Sequence, residues 1–247
     1  MEITIRIKLI VLLSIINFFS FNLYAKAEFP FEIALRGNYI QSDKSIQLND
    51  KVLSLNTASA GVELSKEIIR NITVFGNLGV GYSPKETATF AGAIVSGPVD
   101  TNSYGYGIKY NWLLDSLNLG FKIDYLSNSA DGSFSGFRNN KPVTASADYD
   151  FTMQRQEIKT EYPISNTIIR AGLGQYEWKI NGLAKGVLDQ GIRASTRANG
   201  SGDDNYYRLG LDIDSGLFVT NIDFYNYNLK ASNKVNLNEI TIKFSRK

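Results

Sequence analysis

Histidine and cysteine are absent from all 247 residues. The side chains left to do chemistry are carboxylates, lysines, arginines and hydroxyls. Without an imidazole, a serine or water nucleophile lacks its usual general base. Without a thiolate there is no disulfide framework and no sulfur metal site. An all-carboxylate mechanism is the one enzymatic route the composition leaves; the expectation is a chain that is not an enzyme. Asp203-Asp204 beside Gly200-Ser201-Gly202 lacks the alternating oxygen ligands of a calcium loop and reads as a surface turn. Gly79-Val80-Gly81 and Gly105-Tyr106-Gly107 are followed by no helix that could turn them into phosphate loops. No cofactor and no metal is expected. With 26 basic against 24 acidic residues, the chain has no electrostatic footprint for nucleic acid.

The charges worth following are those that recur at every second position: Arg36, Glu63, Lys109, Lys122, Asp124, Arg155, Glu157, Arg170, Arg208, Asp212, Asp223, Glu239 and Lys243, with Glu32, Lys159 and Glu161 beside them. Period two belongs to a strand with two unlike faces. From Tyr104 to Leu114, Tyr104, Tyr106, Ile108, Tyr110, Trp112 and Leu114 fall opposite Ser103, Gly105, Gly107, Lys109 and Asn111. Past a turn at Asp115-Ser116, Leu117, Leu119, Phe121, Ile123 and Tyr125 oppose Asn118, Gly120, Lys122 and Asp124. The same alternation marks strands around 31–39, 58–64, 72–82, 207–213, 220–225 and 239–244, and more weakly 148–162 and 167–180. That makes about ten strands; a hidden hairpin in 84–101 or 181–204 would make twelve, and loss of the weak pair eight. Their links alternate in length. Short ones lie near 66–71, 115–116, 163–166 and 214–217, long ones near 42–51, 84–101, 127–147, 181–204 and 230–236.

Ahead of the strands, Arg6 and Lys8 precede an apolar run from Leu9 to Phe21 and then Ala25-Lys26-Ala27. These are the three regions of a Sec-type signal peptide, and the run is too short for a spanning helix. Residues 1–27 are expected to be removed, leaving 28–247 as one domain. No later segment is apolar and long enough for a membrane helix, so a membrane-embedded chain must close into a barrel. Tyr39, Tyr82, Tyr104, Trp112, Tyr125 and Tyr162 tip the apolar faces as an interfacial aromatic girdle does. The fold class is therefore all-β: an antiparallel up-and-down transmembrane β-barrel.

Signal, amphipathic strands and alternating link lengths together resemble the small Gram-negative outer-membrane β-barrel superfamily, the OmpA- and OmpX-like surface barrels. The resemblance is architectural and covers the whole mature chain. It implies an outer-membrane location, partners in outer-membrane lipid and lipopolysaccharide, and recognition by the barrel-assembly machinery. Phe244 resembles the terminal aromatic that this machinery reads, though Ser245-Arg246-Lys247 follow it. Barrel enzymes of this kind resemble one another in using an active-site histidine, which this chain lacks.

The alternating charges would line the lumen. Their near-equal signs predict a narrow interior closed by ion pairs, where a selective pore would show an excess of one sign. The first expectation is a structural or surface-interaction scaffold. A passive small-solute channel is the second, and a secreted soluble periplasmic β protein the third. Groups on the long links that could meet a surface partner or acidic sugars are Phe90, Ile94, Val95, Phe134, Phe137, Arg138, Lys141, Lys185, Arg193 and Arg197; the plainer expectation is loops packed on themselves.

Overall fold

The computed structural model describes residues 31–114, 117–188 and 191–246. Residues 1–27, expected to be a signal peptide, and Asp115-Ser116, expected to be a turn, lie outside them. Ten strands form a closed antiparallel ring: β1 (Glu32–Ser42), β4 (Asn56–Ile69), β5 (Ile72–Phe90), β6 (Ala93–Leu114), β7 (Leu117–Arg138), β8 (Lys141–Ile164), β9 (Thr167–Val187), β10 (Arg193–Asp214), β11 (Phe218–Lys230) and β12 (Lys234–Arg246). β12 returns to β1 with Leu35 opposite Phe244, while β1 meets β4 on its other side with Leu35 opposite Val62. A hairpin in the first long link, β2 (Ile46–Leu48) and β3 (Lys51–Leu53), stands outside the ring. The barrel has ten strands; the weak pair 148–180 belongs to its longest members, and no hidden hairpin adds to the count.

Over half the height of the barrel, the apolar face of each strand points outward and is exposed. Leu78, Tyr106, Trp112, Leu173 and Leu209 are all more than half exposed, while Glu63, Lys122, Arg155 and Arg208 of the opposite parity are buried inside. A soluble sandwich places these faces the other way round; only lipid makes this one favourable. The turns at this end are short, with Asn71 at φ 71°, Ser165 at φ 56° and Gly216 at φ 90°. The left-handed backbone is tolerated best by asparagine and glycine.

At the other end the strands run on. Residues 84–101 and 127–147 are not loops but the continuation of β5 to β8, joined by two-residue turns at Ala91-Gly92 (φ 47° and 79°) and Asn139-Asn140 (φ 51° and 64°). Two successive positive φ values match the right-handed twist of hairpin strands. Most of 181–204 is likewise strand, in β9 and β10. In these extensions the sense of the alternation reverses. Along β8, Val143, Tyr149, Phe151 and Met153 are buried inside, and Arg155, Glu157 and Lys159 continue the same face downward. Outward, Thr144, Asp148 and Asp150 give way to Ile158 and Tyr162. The chain thus carries a water-facing barrel with an apolar core on top of a lipid-facing barrel with a charged core.

That apolar core gathers Phe90, Val95, Val99, Phe134, Ile180, Leu229, Val235 and Leu237. Phe90, Val95 and Phe134, expected on exposed loops, are interior residues because the strands beneath them extend. The β2–β3 hairpin closes the mouth. Ile46 and Leu48 are buried in the same core, each worth roughly 1.5–3 kcal/mol. Gln47 N donates to Asn233 Oδ1 at 2.8 Å, Asn49 N to Ser232 Oγ at 2.8 Å and Val52 N to Thr89 Oγ1 at 2.9 Å. The lid is thereby tied to the β11–β12 turn and to β5. Gly200 has no side chain because Leu48 fills the space: a Cβ there would lie 2.4 Å from Leu48 Cδ2.

Candidate functional site: the charged lumen

Period two sends one residue in each pair of every strand inward, and closure sets ten such rows face to face. Apart from Glu32, the charged residues expected in the lumen meet one another there. Glu63 on β4 receives Lys243 of β12 at 2.8 Å, Lys109 of β6 at 3.5 Å and Arg36 of β1 at 3.8 Å. Arg36 continues to Glu239 at 3.6 Å, and Glu239 meets Arg155 of β8 at 3.4 Å. The Arg155 guanidinium grips Asp124 with two donors, Nε at 2.9 Å and Nη2 closer. Lys122 reaches the same carboxylate at 2.9 Å. On the opposite wall Arg208 forks onto Asp223 through Nε and Nη2, both at 2.9 Å, and reaches Glu157 at 2.7 Å. Arg170 joins Asp223 at 3.0 Å to Asp212 at 2.5 Å, and Lys159 pairs with Glu161. Glu32 stands at the exposed rim, where it accepts from Ser65 Oγ at 3.4 Å.

Eight cations and seven carboxylates make up this network among the described residues. Each finds at least one partner of opposite sign. Removing charges from water is costly, and only mutual pairing with further hydrogen bonds makes such an interior tolerable. Tyrosines join the two walls. Tyr225 lies between the guanidinium groups of Arg155, 5.2 Å from its ring, and Arg208, 5.4 Å away. Its neighbour Tyr227 stacks on it at 6.0 Å and donates to Glu239 Oε2 at 2.6 Å. Tyr206 donates to Glu157 Oε2 at 3.1 Å. Phe75 turns its ring to Lys109 at 4.4 Å and to Lys122 at 5.5 Å. Parity places all four rings inside: the alternation already set Phe75 with Asn77 and Tyr225 with Asp223, and it extends to Tyr227 on the face of Asp223 and Tyr206 on that of Arg208.

Beside Arg36, Asn77, Ser103 and Met153 there is a cavity of about 20 Å³, room for about one water. Below it lies the ion-pair network and above it the apolar core under the lid. Each of these carboxylates is held by at least one cation, and the pairs tie the strands of the ring to one another across the lumen. Groups expected to be mobile outside the lumen are held too. Asp203-Asp204 is not a turn but part of β10, where buried Asp204 accepts from Lys230 N at 3.0 Å and pairs with Lys230 Nζ at 2.6 Å.

No protein-family model matches the chain and no curated protein matches it in sequence. Solved structures do. The translocator domain of the autotransporter NalP from Neisseria meningitidis is 10% identical over 88% of each chain, with a TM-score of 0.53. The outer-membrane protease OmpT from Escherichia coli is 11% identical over 87% of this chain and 94% of its own, with a TM-score of 0.51. At such identities the likeness is one of fold, and it agrees with the lipid-facing belt and the closed ring: the chain has the fold of the outer-membrane β-barrels.

Proposed function

We propose that the chain is an outer-membrane protein of a Gram-negative bacterium that works as a non-conducting scaffold. On this reading residues 1–27 are removed as a signal peptide and the barrel-assembly machinery inserts the remainder. The short turns then face the periplasm, and the strand extensions stand above the outer leaflet and its lipopolysaccharide as the working surface. The observation that carries the reading is the double seal of the lumen: a paired network of buried charges in the lipid-facing half, and an apolar core with the β2–β3 lid above it. A water-filled channel would need neither. The reading includes no catalytic step. Single-channel recording of refolded residues 28–247 in a planar bilayer tests it, after heat-modifiable gel migration has reported folding. Silence is expected. Steady ohmic openings that change with Lys122→Gln or Arg208→Gln would overturn the reading in favour of a channel.

A further inference from the structure

At the extended end, the outward face of β6 to β10 departs from its polar pattern. Val95 pairs with Gly136, which sets Ile94 beside Phe137, and Phe137 pairs with Pro142. Two residues further down β8, Thr144 pairs with Val187, which pairs in turn with Arg193. Ile94 is 66% exposed, Phe137 71% and the neighbouring Ile192 59%. The band crosses five adjacent strands, a width of about 19 Å at the usual strand spacing. Cations rim it: Arg138 at the β7–β8 turn, Arg193 and Arg197 on β10, and Lys185 on β9. Among the described residues none of these four forms an ion pair. Among the described residues the nearest acids on this outer face, Asp100, Asp131 and Asp148, lie well down β6, β7 and β8.

Large apolar side chains at exposed strand ends, surrounded by unpaired cations, are what interfacial binding to an anionic bilayer requires. Charge complementarity selects anionic headgroups, and apolar reach selects a surface with acyl chains under it. We infer that this band, Ile94, Phe137, Pro142, Val187 and Ile192 with Arg138, Lys185, Arg193 and Arg197, is a docking surface for a second, anionic lipid membrane. It rests on the placement proposed above, because the barrel's own bilayer lies around its other end.

The test is vesicle flotation of the folded protein held in phosphatidylcholine nanodiscs, with gel migration reporting barrel insertion separately. Vesicles of phosphatidylcholine alone are compared with vesicles containing phosphatidylglycerol. The loaded discs are expected to float with the anionic vesicles and not the neutral ones. Ile94→Ser with Phe137→Ser should weaken binding at least roughly tenfold. Arg138→Gln with Arg193→Gln should do the same and remove its salt dependence. No flotation above that of empty discs would overturn the inference. So would binding that both variants retain, or binding that the apolar variant leaves intact, since either means nonspecific charge alone. Variant-sensitive binding of an acidic amphipathic peptide, without vesicle binding, would also overturn it and assign the band to a protein partner. Failure to insert into discs would instead refute the proposed function.

Discussion

Replacing Arg208 with methionine asks whether the lumen is sealed from water. The guanidinium is shared between Asp223 and Glu157, and the two carboxylates lose unequal amounts. Asp223 keeps Arg170 at 3.0 Å. Glu157, fully buried, keeps only the Tyr206 hydroxyl at 3.1 Å, since no other cation lies in ion-pair range among the described residues. Breaking a buried pair from one side costs about 3–5 kcal/mol, most of it the uncompensated charge left behind. The cost should therefore sit at Glu157 and be about 3 kcal/mol or more, roughly a hundredfold or greater in the folding equilibrium. Adding Glu157→Gln removes that charge and leaves an amide that still accepts from Tyr206. The double variant should thus be more stable than Arg208→Met alone, with a coupling of about 1.5–3 kcal/mol. Guanidinium titration in phospholipid vesicles, followed by the fluorescence of Trp112 and Trp178, gives all four corners of the cycle. A single variant within about 1 kcal/mol of the parent, with no coupling, would mean that water reaches Glu157. The sealed-lumen reasoning would then fall with it.

Four further outcomes are expected. Leu173 faces lipid and is 73% exposed, so Leu173→Arg should cost about 2–4 kcal/mol in bilayers if it sits near the midplane; a neutral result in the same vesicle titration would contradict the lipid-facing belt. Gly200→Val puts a branched side chain where Leu48 lies, and should free the β2–β3 hairpin to limited proteolysis near residues 45–53 while heat-modifiable migration stays intact. Glu86, in the water-facing extension, is buried and hydrogen-bonded by Ser54 Oγ at 2.6 Å and Asn56 N at 2.5 Å. Burial is the largest influence on its carboxyl and raises it above the ordinary value. The folded pKa then exceeds the unfolded one, so this contribution to stability is complete below the unfolded pKa and is lost as pH rises through the raised one. Amide exchange at residues 54–57 should speed up in excess of its chemical pH dependence as pH rises above the ordinary carboxylate range, and Glu86→Gln should abolish the excess; a parent without it would refute the assignment. Phe244→Ala should slow assembly by purified barrel-assembly machinery more than it slows spontaneous refolding in detergent, and equal slowing would remove the signal role.

The lipid-facing half was legible because lipid and a charged lumen demand opposite things of successive residues. Tyr104 to Leu114 could be read from one strand alone, and so could the inward parity of Lys122, Asp124, Arg208 and Asp223. What single strands could not show is who pairs with whom. Arg155 and Glu239 are 84 residues apart, and only ring closure through the β1–β12 pairing brings their rows across the lumen from each other. Balance of charge was visible; the two walls, and the tyrosines that join them, were not.

The extensions were misread for a different physical reason. Above the lipid the outer face meets water, so threonine, serine and aspartate stand where leucine and tyrosine stood below, and the mixture resembles loop composition. β10 shows the difficulty most clearly. From Arg193 to Asp204 its inward positions are Ala194, Thr196, Ala198, Gly200, Gly202 and Asp204, so no apolar period exists to be found. Those positions are small because others fill the space they leave: a Cβ on Gly200 would meet Leu48, and one on Gly202 would lie 2.9 Å from Trp178 Nε1. The hydrophobic signal for this strand is written in the lid and in β9. A strand whose inner face is hollow looks like a linker until its partners are known. The outer apolar residues Ile94 and Phe137 gain their meaning from the same fact. On flexible loops they would fold back toward the core, but on strands whose parity points them outward they cannot. Their exposure is set by the backbone, and it is this that makes the extended end a surface suited to contact rather than a set of loose connections.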